Sequence, residues 1–224
     1  MAMTPRQFIE SLAEAYQKAR VPLKEHKKLS RGESRSIASE AEDRFAYYLI
    51  GRLRSADHIF INQTLTSVSW GREERLKPDL VICRGDEIRM LIDLKMDLGY
   101  KRFEFSDSMR EVDKRVGKLR GQKFSLWEKI GDGRDRHEKT LSKNAKYLFV
   151  VISDQNINAN QFKDVETSAS KLGNTGLFTL LRGIHLNHNS LYGRNLDDVM
   201  AEVSGHICHE AFRNLEALLI EALA

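Results

Sequence analysis

Residues 77–97 read KPDLVICRGDEIRMLIDLKMD. Two short apolar runs, Leu80 to Cys83 and Ile88 to Leu94, flank Arg84-Gly85-Asp86-Glu87, and a Gly-containing tetrad between β-rich runs predicts a hairpin of antiparallel neighbours. Successive side chains of a strand alternate faces, which places Asp93, Lys95 and Asp97 on one face and Ile88, Met90, Ile92 and Leu94 on the other. Aspartate is depleted in strands, so a carboxylate and an ammonium side by side at the end of an apolar strand call for an explanation. In-register pairing through the turn would bring Asp79 to Asp93, giving two carboxylates with Lys95 beside them. Hard cations such as Mg²⁺ bind through one or two carboxylates plus waters and phosphate oxygens. That donor set suits phosphodiester hydrolysis, in which a metal neutralises the scissile phosphate and activates a water while a lysine orients it. The plainer alternative is a salt-bridged Asp93–Lys95 pair on a solvated sheet face, after a Pro78-Asp79 turn.

Upstream, Thr4-Pro5-Arg6-Gln7 carries a capping box with Pro at the first helical position, and a helix is expected over 4–20, ending before Pro22. The polar stretch Lys24 to Arg35 reads as a loop. From Ser36 to about Arg54, Ile37, Ala41, Phe45, Tyr48, Leu49 and Leu53 form one stripe at helical period. A strand is expected from His58 to Thr66. Downstream, Ser108 and Glu111 resemble a capping box opening a basic helix to about Leu119, with a second helical piece over Phe124 to Ile130, in which Phe124 and Trp127 would be core residues. Tyr147 to Ser153 is a continuous apolar strand; a helix over about Ala159 to Leu172 and a strand from Leu177 to Leu181 follow. A single long helix over 195–224 is expected to close the chain, with Leu196, Val199, Val203, Ile207, Ala211, Leu215 and Leu218 on its stripe. The expected class is α/β: one domain with a central mixed sheet flanked by helices.

Pro78-Asp79, thirteen intervening residues and then Asp93-Leu94-Lys95 resemble the PD-(D/E)xK signature of restriction-endonuclease-like nucleases. The helix-strand-strand-strand-helix-strand order up to Ser153 is similar to that family's core, and the resemblance covers roughly 36–155. The nuclease domain would then fill 1–224, with a core over about 36–182 and the helices at 4–20 and 195–224 as additions. The resemblance implies Mg²⁺, with Mn²⁺ as a substitute, and 5′-phosphate ends; duplex DNA is the expected substrate, with RNA left open, and a restriction or other defence role is expected ahead of repair or recombination. By the same resemblance Asp79, Asp93 and an acid from the preceding helix would be metal ligands, the Leu94 carbonyl would complete the set, and Lys95 would serve the water. Glu40, Glu42 and Asp43 are the choices for the helix acid; Glu42 lies on the flank of the apolar stripe and is preferred, the others pointing more nearly to solvent.

Composition sets the frame around this reading. The chain has 224 residues, 41% hydrophobic and 30% charged, with 3 Pro and 14 Gly, which argues against long low-complexity segments. No apolar run approaches the roughly 18–20 residues a membrane helix needs. The N-terminal Met-Ala-Met-Thr-Pro-Arg lacks an apolar signal region, so the cytoplasm is the expected compartment, where Cys83 and Cys208 read as buried thiols. The net charge is only +4, but Lys101 to Lys146 holds 14 Lys and Arg against 8 Asp and Glu. Arg110, Lys114 and Lys118 recur four apart and, with Arg115, are the expected phosphate contacts; the other reading is a solvated helix face. His185, His188, His206, Cys208 and His209 raise a zinc site, but their spacing fits no standard one. The last helix either joins the core or pairs with a second copy, and a duplex-cutting enzyme with two sites would be a homodimer. The competing function is a non-catalytic nucleic-acid-binding or assembly subunit with the same fold.

Overall fold

The computed structural model describes residues 2–20, 35–69, 72–99, 104–130 and 132–224. The loop expected over Lys24 to Arg35 lies, except for Arg35, outside the described residues. Helix α1 (Pro5–Arg20) opens with a reciprocal capping box, Thr4 N–H donating to Gln7 Oε1 at 2.8 Å and Gln7 N–H to Thr4 Oγ1 at 3.2 Å. Helix α2 (Ala38–Ile50) is shorter than its stripe suggests, ending before Gly51, where a Cβ would stand 2.6 Å from that of Ala2. Strands β1 (Asp57–Ile61), β2 (Leu65–Ser69), β3 (Arg72–Leu76), β4 (Leu80–Arg84) and β5 (Glu87–Lys95) follow. The single strand expected over His58 to Thr66 breaks at Asn62, which takes φ +53°, and its end becomes the first arm of a β2–β3 hairpin.

Helix α3 (Phe105–Leu119) starts earlier than expected: Ser108 N–H donates to the Glu104 carbonyl inside the first turn, so Ser108 is not its cap. Residues 123–130, expected as a helix, are strand β6 (Lys123–Ile130), which pairs antiparallel with β7 (Gly133–Ser153). Burial there has period two: Phe124 and Leu126 are buried, whereas Trp127 is 47% exposed rather than a core residue. Helix α4 (Ala159–Ala169) and strand β8 (Thr175–Leu181) come next.

The closing helix is two, α5 (Leu196–Val203) and α6 (His209–Ala222), separated at Ser204-Gly205-His206. Ile207 continues the helical stripe in sequence but forms a β-bridge with Leu181, while Cys208 N–H donates to the Leu180 carbonyl. Backbone groups along β8 thus capture the chain that periodicity assigns to a helix. The stripe itself packs inward, with Val199, Val203, Ile207 and Leu215 buried and Leu196, Ala211 and Leu218 half-buried against the same core.

All eight strands form one mixed, largely antiparallel open sheet in the order β1-β4-β5-β7-β6-β2-β3, with β8 beside the C-terminal part of β7. Among the described residues only the β5–β7 and β7–β8 pairs are parallel. Helices α1, α2, α5 and α6 cover one face with Met90, Ile92 and Leu94; α3 and α4 cover the other with Val81, Leu91 and Val151. Ile88 falls on the α3 face, opposite to the side shared by Met90, Ile92 and Leu94, because the ladders on both sides of β5 shift register around Arg89. Among the described residues no helix is long and apolar enough to cross a membrane. Both cysteines are free; burial pushes the Cys83 thiol up to about 12, whereas Cys208 is only half-buried at the start of α6.

Candidate active site

Gly85, at φ +53°, makes the two-residue turn between β4 and β5. The resulting register sets Leu80 opposite Ile92, so Asp79 and Asp93 come next along the two chains. Asp79 is held at both ends. Its carbonyl accepts the Asn62 N–H at 2.6 Å, and its Oδ2 accepts the Leu94 N–H at 2.7 Å, filling a place where β4 no longer offers a backbone partner.

Lys95 Nζ stands 3.1 Å from Asp93 Oδ2 and 3.7 Å from Asp79 Oδ2. Asp93 Oδ1 accepts the Tyr147 hydroxyl at 2.8 Å. Burial, and then the charge of Asp93, push the Tyr147 phenol far above its ordinary range, so it remains a donor. Burial also raises the Asp79 carboxyl; Lys95 opposes this and Asp93 adds to it, leaving Asp79 above the usual carboxylate value. Glu42 is raised as well, by burial first and then by the carboxylates of Asp79 and Asp43. Among the three helix acids Glu42 therefore faces the cluster, whereas Glu40 pairs with Arg44 and Asp43 is exposed.

Burial and mutual repulsion thus raise Asp79 and Glu42 around one incompletely shared ammonium. An oxygen-rich donor set with this electrostatic demand fits a hard divalent cation. Among the described residues no three His, Cys, Asp or Glu side chains converge closely enough to hold a metal ion as they stand, and Asp79 and Asp93 meet through the Lys95 ammonium that lies between them.

Asp97 does not join Asp93 and Lys95. The chain has left β5, and Asp97 instead accepts hydrogen bonds from Gly99 N–H (2.7 Å) and Asn156 Nδ2 (2.9 Å), with His185 Nε2 at 3.2 Å. Of the other candidate zinc ligands, His188 bonds Ser190 and His206 donates to the Arg182 carbonyl, and among the described residues no three of the candidates converge to hold a metal ion. On α3, Arg110, Lys114 and Lys118 are exposed, Arg110 pairing with Asp107. Arg115 leaves that row to bond Glu74 and the Arg75 carbonyl, tying α3 to β3. The basic excess of this segment also extends along the β6–β7 hairpin, where Lys123, Arg134 and Arg136 are exposed and Arg136 lies opposite Trp127.

Sequence reasoning missed Tyr147 as a member of the cluster. Its signal was a phenol heading an apolar strand, since a buried hydroxyl needs a partner. Comparison of the chain with protein-family models, with curated proteins and with solved structures gives no match.

Proposed function

We propose that this chain is a metal-dependent endonuclease of the PD-(D/E)xK type, hydrolysing phosphodiester bonds of DNA in a restriction or other defence role. The observation that carries this reading is the meeting of Asp79, Asp93 and Lys95 at one sheet end, with Glu42 sensing all three. The order α2, β1, β4, β5, α3, β7, with β1, β4 and β5 an antiparallel meander and β7 parallel to β5, supports a restriction-endonuclease-like core; the β2–β3 hairpin is then an insertion within it.

Asp79, Asp93, the Leu94 carbonyl and Glu42, directly or through water, would hold Mg²⁺, or Mn²⁺ in its place. When bound, the ion would neutralise the scissile phosphate and lower the pKa of the attacking water. The chain's own residues do the rest. In a strand the N–H and C=O of one residue point to the same side, so the bond from Leu94 N–H to Asp79 also turns the Leu94 carbonyl toward the site. Tyr147 fixes the orientation of Asp93. Lys95, only 3.7 Å from Asp79, is free to orient the water and to hold negative charge as it develops on the phosphate. Arg110, Lys114 and Lys118 on α3 would neutralise backbone phosphates, and Trp127 beside Arg136 offers an exposed ring to a base.

The test is incubation of the purified chain with supercoiled plasmid, genomic DNA and RNA in Mg²⁺, Mn²⁺ or EDTA, beside Asp93→Ala and Lys95→Ala. Metal-dependent DNA cleavage that falls by about a thousandfold in both variants is the expected result. DNA left intact under every condition, with binding retained, would replace the enzyme by the non-catalytic binding or assembly subunit.

A further inference from the structure

The parallel strands β5, β7 and β8 end on one side of the sheet, at Lys95, Ser153 and Leu181. In open sheets the crevice outside the carboxyl ends of such strands is where ligands bind. A cavity of about 550 Å³ lies there, lined by Met96 and Asp97 after β5, Asn156 after β7, and His185, Asn187 and Tyr192 after β8. Asp97 ties the three strand ends together, since Gly99 N–H, Asn156 Nδ2 and His185 Nε2 all converge on its carboxylate. Asn156 is held at φ +68°, a left-handed conformation uncommon outside glycine. At Gly99 a Cβ would stand 3.1 Å from Asp97 Oδ1 and 3.2 Å from the Asn156 Cβ, so a side chain there would crowd the junction of these two loops.

Arg20 of α1 shapes the loop after β8. It donates to the Leu186 and Leu191 carbonyls and to Asn187 Oδ1, and its guanidinium lies 4.0 Å from the centre of the Tyr192 ring. The Tyr192 hydroxyl also donates to Asn187 Oδ1, at 3.3 Å. These bonds use the oxygen of the Asn187 amide and, among the described residues, leave its Nδ2 donors unbonded. Asn156 is the converse, with Nδ2 on Asp97 and Oδ1 left as an acceptor. Tyr192, though held by Arg20, remains 45% exposed. The charges of the lining balance: among the described residues it has one carboxylate, Asp97, and one guanidinium, Arg35. Its two imidazoles each accept a backbone N–H on Nδ1, His185 from Asn187 and His188 from Ser190, which marks both as neutral.

We infer that this cavity receives an unpaired nucleobase of the DNA strand being cut, giving the enzyme a preference for sites where a base lies outside the stack. A lining without surplus positive charge suits a neutral group better than a free phosphate. A base edge carries both donors and acceptors, which the Asn187 amide nitrogen and the Asn156 amide oxygen answer, and its π-face can stack on Tyr192. The volume lies within the range of small-molecule sites. A base paired inside a duplex cannot enter a cavity, so only an extruded one fits. The inference rests on the nuclease reading, because it is the cluster at Lys95, two residues before Asp97, that would bring a phosphodiester to the rim of the cavity.

The experiment is binding of the full chain, in EDTA so that nothing is cut, to duplexes alike except at one place: fully paired, with a single bulged 2-aminopurine, or with an abasic residue in the same bulge. The unaltered chain should bind the bulged base about tenfold more tightly than either of the others, and the 2-aminopurine fluorescence should change in a saturable way, a readout that needs no variant to fold. Tyr192→Ala should reduce the preference to about twofold or less, and Asn187→Ala should reduce it about threefold. Tyr192→Phe, which keeps the ring, should retain it. Equal affinity of the unaltered chain for the bulged base and the abasic bulge, or a preference undiminished in both alanine variants, overturns the proposal. Cleavage in Mg²⁺ judges the nuclease reading separately. Preference without cleavage keeps the pocket and removes the nuclease, cleavage without preference does the opposite, and no DNA binding by the unaltered chain removes both.

Discussion

Asp79 and Asp97 flank the same hairpin and keep nearly equal side-chain exposure, 22% and 20%, yet their carboxyls move in opposite directions. Burial opposes charge on both. At Asp97, hydrogen bonds from His185, Gly99 and Asn156 outweigh it and hold the carboxyl below its ordinary value. Asp79 has one backbone donor and an ammonium 3.7 Å away that it shares with Asp93, and the carboxylate of Asp93 adds to its burial, so its carboxyl stays high. Equal desolvation with unequal donors separates a carboxylate that fastens two chain segments from one left with charge to offer a ligand.

The hardest way to break this contrast is Asp97→Ala. It removes a partly solvated anchor and should cost about 2 kcal/mol, lowering Tm by about 4–8 °C, while cleavage persists well below the transition. Loss of cleavage by a variant that circular dichroism shows to be folded would move Asp97 into the chemistry. An effect of similar size is expected of Mg²⁺ itself. At about a hundred times its dissociation constant the ion should add about 2.7 kcal/mol to the wild type, and Asp79→Asn or Asp93→Asn should abolish the rise whereas Asp97→Asn should not.

The pH dependence sharpens the contrast further. Because the Asp97 carboxyl is lowered, its stabilisation is present at neutral pH and is lost as pH falls through its folded value, below the ordinary 3.8. Because the Asp79 carboxyl is raised, its ionised form is a burden at neutral pH that disappears below the ordinary range. In EDTA, Asp79→Asn should therefore raise Tm near pH 8 and lose that gain as pH falls toward 3.8, whereas Asp97→Asn should lower Tm near pH 8 and keep that deficit until the pH drops below 3.8. The smallest effect is expected for Glu42→Gln, a rise of about one degree at neutral pH, since solvent screens much of the repulsion there. A fall in its place would mean that Glu42 is held by a favourable contact.

The site was legible where its geometry is local. Gly85 sets the turn, the alternation along β5 aims Asp93 and Lys95, and the register delivers Asp79. Helical phase around Phe45 and Leu49 was enough to prefer Glu42 over its neighbours. What escaped depends on partners distant in the chain. Phe124, Leu126, Trp127 and Ile130 satisfy either period, and only pairing with residues 133–140 makes them a strand. Ile207 fits a helical stripe until Leu181 claims it. The bulge at Arg89 turns Ile88 to the other face without any Gly or Pro to announce it. Asp97 has the spacing of a third strand residue on the Asp93 face, but His185 and Asn156 fix it after the strand has ended.

The bridge between Leu181 and Ile207, flanked by Arg182 N–H on the His206 carbonyl and Cys208 N–H on the Leu180 carbonyl, has a colloidal consequence. It covers backbone along the outer border of an apolar strand that could otherwise recruit another chain into a growing fibre. Self-association by strand addition is thereby steered toward the borders at β1 and β3. The latter reads Arg72-Glu73-Glu74-Arg75-Leu76, a charge-dense sequence of the kind that resists such growth.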